Sequence, residues 1–365
     1  MIVSTPASFR SDIPLSTLTT IGLGGKARLF VSCKTLEEIK ESILFAKHQH
    51  LQWQVMGGGS NIIFSDEGFN GVVIKVDIKG VNKVENGGDV LVEAAAGEEW
   101  DTLVQSCIRH GLSGIECLSG IPGLVGATPI QNVGAYGQEV SDTITSVRAI
   151  DLSTMESVEF SNKECQFDYR QSRFKKEDRN RFVITYVTFR LNKNRRPVIR
   201  YPELKSYIDS SIKLDELADG REAVEVVRKA VLALRKRKSM VIDPTDPHTR
   251  SVGSFFMNLL VTGEEFRRIQ GQWRESGGSD DIPTFPAGDR FKIPAAWLVE
   301  HAGFRKGFRR GKVGISANHA LALVNYGGTT RELLSLSEEI QLAVRNRFGI
   351  SLEPEPVIIN QDYPT

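Results

Sequence analysis

The segment Gly120-Ile121-Pro122-Gly123-Leu124-Val125-Gly126-Ala127-Thr128-Pro129-Ile130-Gln131-Asn132-Val133-Gly134-Ala135-Tyr136-Gly137 constrains this chain more than any other. It sets five glycines and two prolines among apolar residues. Glycine at that density does not make a helix interior, and the apolar residues between argue against a solvated surface loop. The stretch reads as a specified, buried loop that a ligand or another backbone approaches closely.

A second glycine-rich element, Met56-Gly57-Gly58-Gly59-Ser60-Asn61, leaves the apolar residues 53–55 and runs into 62–64. Three successive glycines remove the side chains that would hold the backbone away from an anion, so their N–H groups can converge on phosphate oxygens. Ser60 and Asn61 add side-chain donors. Taken alone, the loop reads equally well as an ordinary glycine turn. Gly22-Leu23-Gly24-Gly25 imitates a dinucleotide fingerprint, but Lys26 and a strand-like run follow it instead of a helix, so a Rossmann site is excluded.

Hydrophobic periodicity around these loops gives an α+β chain. Residues 27–31 and 72–76 are strand-like, 35–48 have helical spacing, and residues 1–78 form a first block. A second block, 79–217, holds strand-like 90–95, 144–151, 157–160 and 182–191 and a helix at 100–110. Residues 194–202, with their prolines and arginines, read as a linker to a third block at 218–348. That block opens with an amphipathic helix from about 221 to 238, then strand-like 253–258, helices after Thr262, at 295–301 and at 329–348, and a buried strand within 316–325. An extended segment, 349–365, closes the chain.

The 365 residues, 40% of them apolar, suffice for such packed blocks, and the net charge of +1 gives no reason to expect nucleic acid. Cys33, Cys107, Cys117 and Cys165 lie far apart without flanking histidines at metal spacing, which points to a reduced, metal-free protein. No signal-peptide pattern and no apolar run of about 18 residues occurs, so no membrane insertion and a cytoplasmic location are expected.

Several further positions carry chemistry. Arg170, in Cys165-Gln166-Phe167-Asp168-Tyr169-Arg170-Gln171-Ser172-Arg173-Phe174-Lys175, sits between aromatics and can fix a carboxylate in two-pronged geometry. On its own it reads more readily as a surface ion-pair arginine, as do Arg173, Lys175 and Lys176. Ser254, in Gly253-Ser254-Phe255-Phe256-Met257-Asn258, is a partly dried hydroxyl or simply a core-facing serine. Glu355, in Leu352-Glu353-Pro354-Glu355-Pro356-Val357, is either an exposed tail carboxylate or part of a strand packed back on the body. The basic run Arg235-Lys236-Arg237-Lys238 suits a helix C-terminus.

These motifs, in this order, resemble the UDP-N-acetylenolpyruvoylglucosamine reductase family over nearly the whole chain, in the longer class with a tyrosine-bearing substrate loop. The resemblance implies an FAD-binding fold of the vanillyl-alcohol-oxidase type in two N-terminal subdomains, 1–78 and 79–217. It also implies a smaller α+β substrate-binding domain at 218–348 and a C-terminal segment, 349–365, that returns to the active site. FAD would be noncovalent, held by Gly57, Gly58, Gly59, Ser60, Asn61, Gly120, Gly123, Gly126 and Gln131. NADPH would reduce it and leave before UDP-N-acetylglucosamine enolpyruvate binds.

Arg170 and Glu355 would polarise the substrate carboxylate, and Ser254 would protonate C2 after hydride reaches C3. Tyr201, Lys238, Asn258 and His319 match substrate contacts, although a structural role fits His319 equally well. The family usually continues past Ser254 with a polar residue and Asn-Pro; here Met257 and Asn258-Leu259 stand instead, which bears on substrate affinity. A monomer acting in peptidoglycan precursor synthesis is the expectation. The alternative is a flavin oxidase or dehydrogenase of the same fold with another substrate.

Overall fold

The computed structural model describes residues 8–210 and 220–359. Its first unit is a four-stranded sheet in the order Arg10–Pro14, Lys26–Cys33, Phe69–Val76, Gln52–Met56, with Phe69–Val76 parallel to both its neighbours. The crossover helix Leu36–His48 starts where the Thr35 hydroxyl accepts the Glu38 N–H; acidic Glu37 and Glu38 lie in its first turn, Lys47 and His48 in its last. Ile39, Ile43 and Ala46 are its buried face. Gln52–Met56 is an edge strand, and the triple-glycine loop departs from its carboxyl end.

The second unit is an antiparallel sheet in the order Ser157–Ser161, Ile144–Asp151, Phe182–Lys193, Asp89–Ala95, Val81–Asn86, with Leu112–Ser113 also on Phe182–Lys193. Its helix, Trp100–Arg109, is anchored by Trp100, which is fully buried and donates its indole N–H to the Leu118 carbonyl at 3.1 Å. Val31 and Ile74 of the first unit share one apolar core with Val92, Trp100 and Val187 of the second. The two units therefore cannot shift independently without opening that core.

Two expectations change here. Residues 194–202 lead not directly to the amphipathic helix but to a short helix, Pro202–Asp209, with proline in its first turn. The next helix, Gly220–Arg237, packs Val227, Val231 and Leu234 with Leu204, Ile208 and Cys117, and its Arg228 grips Asp101 through two bonds of 2.6 and 2.8 Å. Its apolar face is thus covered by the second unit rather than by the third, and the expected boundary at 217/218 lies outside the described residues.

The remaining unit combines two three-stranded sheets with helices Gly263–Glu275, Ala295–His301 and Thr330–Phe348. Reciprocal caps, Thr262 with Glu265 and Thr329 with Glu332, start two of these helices. Residues 253–258, expected as strand, are irregular. Gly253 has φ 79°, and single bonds hold the segment: the Phe255 N–H to the Leu321 carbonyl at 2.8 Å and the Met257 N–H to the Glu353 carbonyl at 3.0 Å. The buried strand of 316–325 shortens to Leu323–Asn325 because a turn follows Val313–Ile315. Finally Val357–Ile359 pairs in parallel with Ile62–Phe64, returning the tail to the first unit, while its last residues, 360–365, lie outside the described residues.

Candidate active site

The triple-glycine loop and the 120–137 segment meet. A Cβ on Gly58 would stand 3.1 Å from the Gly123 Cα, a tight fit between the two loops, and one on Gly126 would collide with the Ala96 Cβ at 2.5 Å, so close approach excludes a side chain there. The Ser60 hydroxyl donates to the Pro122 carbonyl at 3.2 Å, and the Asn61 amide donates to the Gln131 side-chain carbonyl at 2.8 Å. Between and beyond these loops opens a cavity of about 830 Å³ lined by Gly57, Gly58, Gly59, Ser60, Asn61, Gly123, Gly126 and Gln131. Gly120 is one layer behind: its N–H donates to Asp101 at 2.6 Å and its carbonyl accepts from Arg235 at 3.3 Å.

The same cavity is lined by Arg170, Ser254 and Glu355. Arg170 is held in left-handed backbone conformation, φ 53°, and its guanidinium donates to the Asn132 carbonyl at 3.3 Å and the Gly134 carbonyl at 2.5 Å. Its Nε lies 3.6 Å from a Glu355 carboxylate oxygen, and Glu139 approaches from the other side at 3.8 Å. Burial pushes the Glu355 carboxyl above the usual carboxylate range, with Arg170 and then Lys175 pulling it back. Ser254 lies between Gly253 and the buried pair Phe255 and Phe256, which are clamped to Leu321 and to the tail.

Substrate candidates divide. Tyr201 meets the Tyr136 ring edge-on at 5.4 Å, and the Lys238 ammonium stands 5.9 Å from that same ring while pairing with Glu203 at 2.7 Å. His319 accepts the Leu321 N–H at 3.0 Å; burial first, then Lys238, Lys306 and Arg235, hold its pKa down to about 4. These three form a neighbourhood beside the cavity. Asn258 is elsewhere: its carbonyl oxygen accepts the Ala295 N–H at 2.9 Å and its amide donates to the Tyr169 hydroxyl at 3.0 Å. It lines a smaller cleft together with Met257 and Leu259, so its polar atoms are engaged by the protein.

Among the cavity residues that the sequence did not assign to the site, two carry charge close to it, Arg235 and Lys175. Arg235 reaches the cavity half-buried, bonded through Nη2 to the Met240 carbonyl at 2.7 Å, while its Nε is buried with no partner among the described residues. Its spacing of four from Val231 puts it on the helix's apolar face, which was the available signal. Lys175 also lines the cavity, whereas Arg173 is engaged by Asp178 at 2.7 Å and by the Phe160 ring, as expected of a structural arginine.

The cavity fits a flavin dinucleotide. Its volume lies within the roughly 300–1,000 Å³ typical of ligand pockets, two glycine-rich segments bring their backbones to its wall where a diphosphate could lie, and Arg235 offers an unused buried donor. No histidine, cysteine or tyrosine is among the lining residues, consistent with a flavin held without a covalent bond.

Comparison with known proteins shows the family of the chain. The family model described as FAD binding domain matches residues 27–160, and that of the UDP-N-acetylenolpyruvoylglucosamine reductase C-terminal domain matches 243–359. The chain is 46% identical over 360 residues to the UDP-N-acetylenolpyruvoylglucosamine reductase of Thermobifida fusca, covering 96% of this chain and 98% of that one. It is 41% identical over 366 residues to the protein of that name from Mycobacterium tuberculosis H37Rv, covering 97% and 96%. A solved UDP-N-acetylenolpyruvylglucosamine reductase from Thermus caldophilus shares the fold with a TM-score of 0.63 at 24% identity, over 96% of this chain and 99% of that one. The four cysteines are all free and buried, and among the described residues there is no metal-binding cluster and no helix long and apolar enough to cross a membrane.

Proposed function

Since the chain belongs to the UDP-N-acetylenolpyruvoylglucosamine reductase family, we propose that its cavity reduces UDP-N-acetylglucosamine enolpyruvate to UDP-N-acetylmuramate, a peptidoglycan precursor, at the expense of NADPH. The observation that carries this reading is the convergence of two glycine loops with Arg170, Ser254 and Glu355 on one cavity. FAD, when bound, would supply the hydride-transfer chemistry that links NADPH oxidation to reduction of the enolpyruvyl group. Gly57, Gly58, Gly59, Ser60, Asn61, Gly123, Gly126 and Gln131 would hold that cofactor, and Gly120 would brace them.

Arg170 has its guanidinium pinned by two main-chain carbonyls, so it meets the substrate carboxylate already oriented. Its charge opposes the negative charge that builds as C3 accepts hydride. Glu355, 3.6 Å from the Arg170 Nε, helps to hold it there, and Ser254 gives the proton that C2 needs. A serine is a weak acid, so the Arg170 cation on the same cavity favours the alkoxide it leaves. We assign Tyr201, Lys238 and His319 to the uridine diphosphate, leaving Asn258 to tie the Tyr169 loop to helix Ala295–His301. Soluble nucleotide substrates support a cytoplasmic location.

Anaerobic mixing tests the scheme. NADPH should bleach the yellow protein, and UDP-N-acetylglucosamine enolpyruvate should then restore the colour with one lactyl ether formed per flavin. Bleaching that this substrate fails to reverse would favour an oxidoreductase of the same fold acting on something else.

A further inference from the structure

Lys175 closes the loop that carries Arg170. Its ammonium donates to the Arg170 main-chain carbonyl at 3.1 Å, five residues back. Arg170 needs such a restraint, because an arginine with φ 53° is in a region that side chains disfavour unless the surroundings hold them there. The rest of the loop is fixed separately, by the Ser172 hydroxyl on the Ile130 carbonyl at 2.6 Å and by the paired Asp168 and Gln171 backbones. Neither Arg173 nor Lys176 lines the large cavity, while Lys175 lines it with Arg170 and Glu355.

We propose that Lys175 is a positioning residue: its ammonium staples the Arg170 loop and stands as a second cation on the cavity wall that Arg170 and Glu355 share. The proposal rests on the reading of Arg170 and Glu355 as active-site residues.

Charged and titratable groups from several elements surround Glu355. Arg170 is nearest, at 3.6 Å, with Glu139 behind it at 3.8 Å. Tyr169, on the Arg170 loop, feels the Glu355 charge, and Lys292 stands 5.5 Å from the Tyr169 ring. On the tail itself Glu353 acts on Lys175. Burial raises Glu355 and lowers Lys175, and each of the two offsets the other's shift. Arg170 is shared between Glu355 and Glu139, so it does not neutralise Glu355 alone. Taking away the Lys175 charge must therefore move Glu355 to a still higher pKa.

The test compares kcat/KM against pH for the flavin-loaded wild type, Glu355→Gln, Lys175→Gln and Lys175→Arg, each checked first for its flavin spectrum. Glu355→Gln identifies the limb of the profile that belongs to Glu355. In Lys175→Gln, which keeps a donor for the carbonyl but no charge, that limb should move up, by about one pH unit at most. Lys175→Arg should leave it where it is. An unmoved limb in Lys175→Gln overturns the proposal but leaves Arg170 and Glu355 in the site. Equal shifts in both lysine variants overturn it too, since a purely structural role would give that result. A Glu355→Gln enzyme with wild-type rates would remove the reading beneath it.

Discussion

The N–H of Glu355 donates to the carbonyl of Phe255 at 2.8 Å, so the residue next to Ser254 carries the tail glutamate. The tail is fixed again a few residues on, where Val357–Ile359 pairs with Ile62–Phe64 beside the triple-glycine loop. Three distant parts of the chain are thereby locked to one another at the cavity. Ile359, 3% exposed among Phe64 and Phe30, anchors that arrangement. Ile359→Ala should cost about 2–5 kcal/mol by denaturant unfolding and should slow substrate-driven flavin reoxidation even in the folded fraction. Full turnover per folded molecule would show that the tail is not what positions Glu355.

Gly59 combines φ 72° with a position where a Cβ would collide with the Leu18 carbonyl oxygen. Gly87 has a similar φ of 64° with open space around it. Gly59→Ala should therefore lower stability by clearly more than Gly87→Ala, whose strain alone is worth about 1 kcal/mol. It should also weaken flavin retention, because the loop must move. Equal unfolding midpoints for the two variants would contradict the close approach.

His319 gives the pH dependence. Its folded pKa of about 4 lies below the unperturbed value near 6.5. Below pH 6.5 the unfolded chain takes up a proton that the folded one does not, so the stability His319 contributes is full above that pH and lost as pH falls toward 4. His319→Asn should flatten stability against pH across that window. Ring-proton NMR should show no titration of His319 between pH 8 and 5.5; a midpoint near 6.5 would place it in solvent.

Legibility in the sequence followed how local each cause was. The glycine loops could be read because φ, close approach and the absence of side chains are written in the residues themselves, and helix Thr330–Phe348 because its capping box and periodicity coincide. Residues 253–258 read as strand because Phe255 and Phe256 are apolar and strand-favouring. What holds them is Leu321 and the tail, contacts that no window of sequence contains. Helix Pro202–Asp209 hid among charged residues and shows only two buried side chains, Leu204 and Ile208. Asn258 fitted a ligand-contact motif, yet its amide is occupied by Ala295 and Tyr169, partners that only the fold brings near. Lys175 went the other way, passing for a surface cation because neither the Arg170 carbonyl nor Glu355 is visible as its partner in the sequence.

The central claim is that Ser254 delivers a proton to substrate carbon in a cavity whose other wall binds flavin. Stopped-flow measurement of both half-reactions in Ser254→Ala tests it most directly. Reduction of the flavin by NADPH should keep its wild-type rate, while reoxidation by UDP-N-acetylglucosamine enolpyruvate should slow by roughly 10² to 10⁴ fold, the usual worth of general acid catalysis. Equal slowing of the two steps, or none in the second, would contradict the assignment.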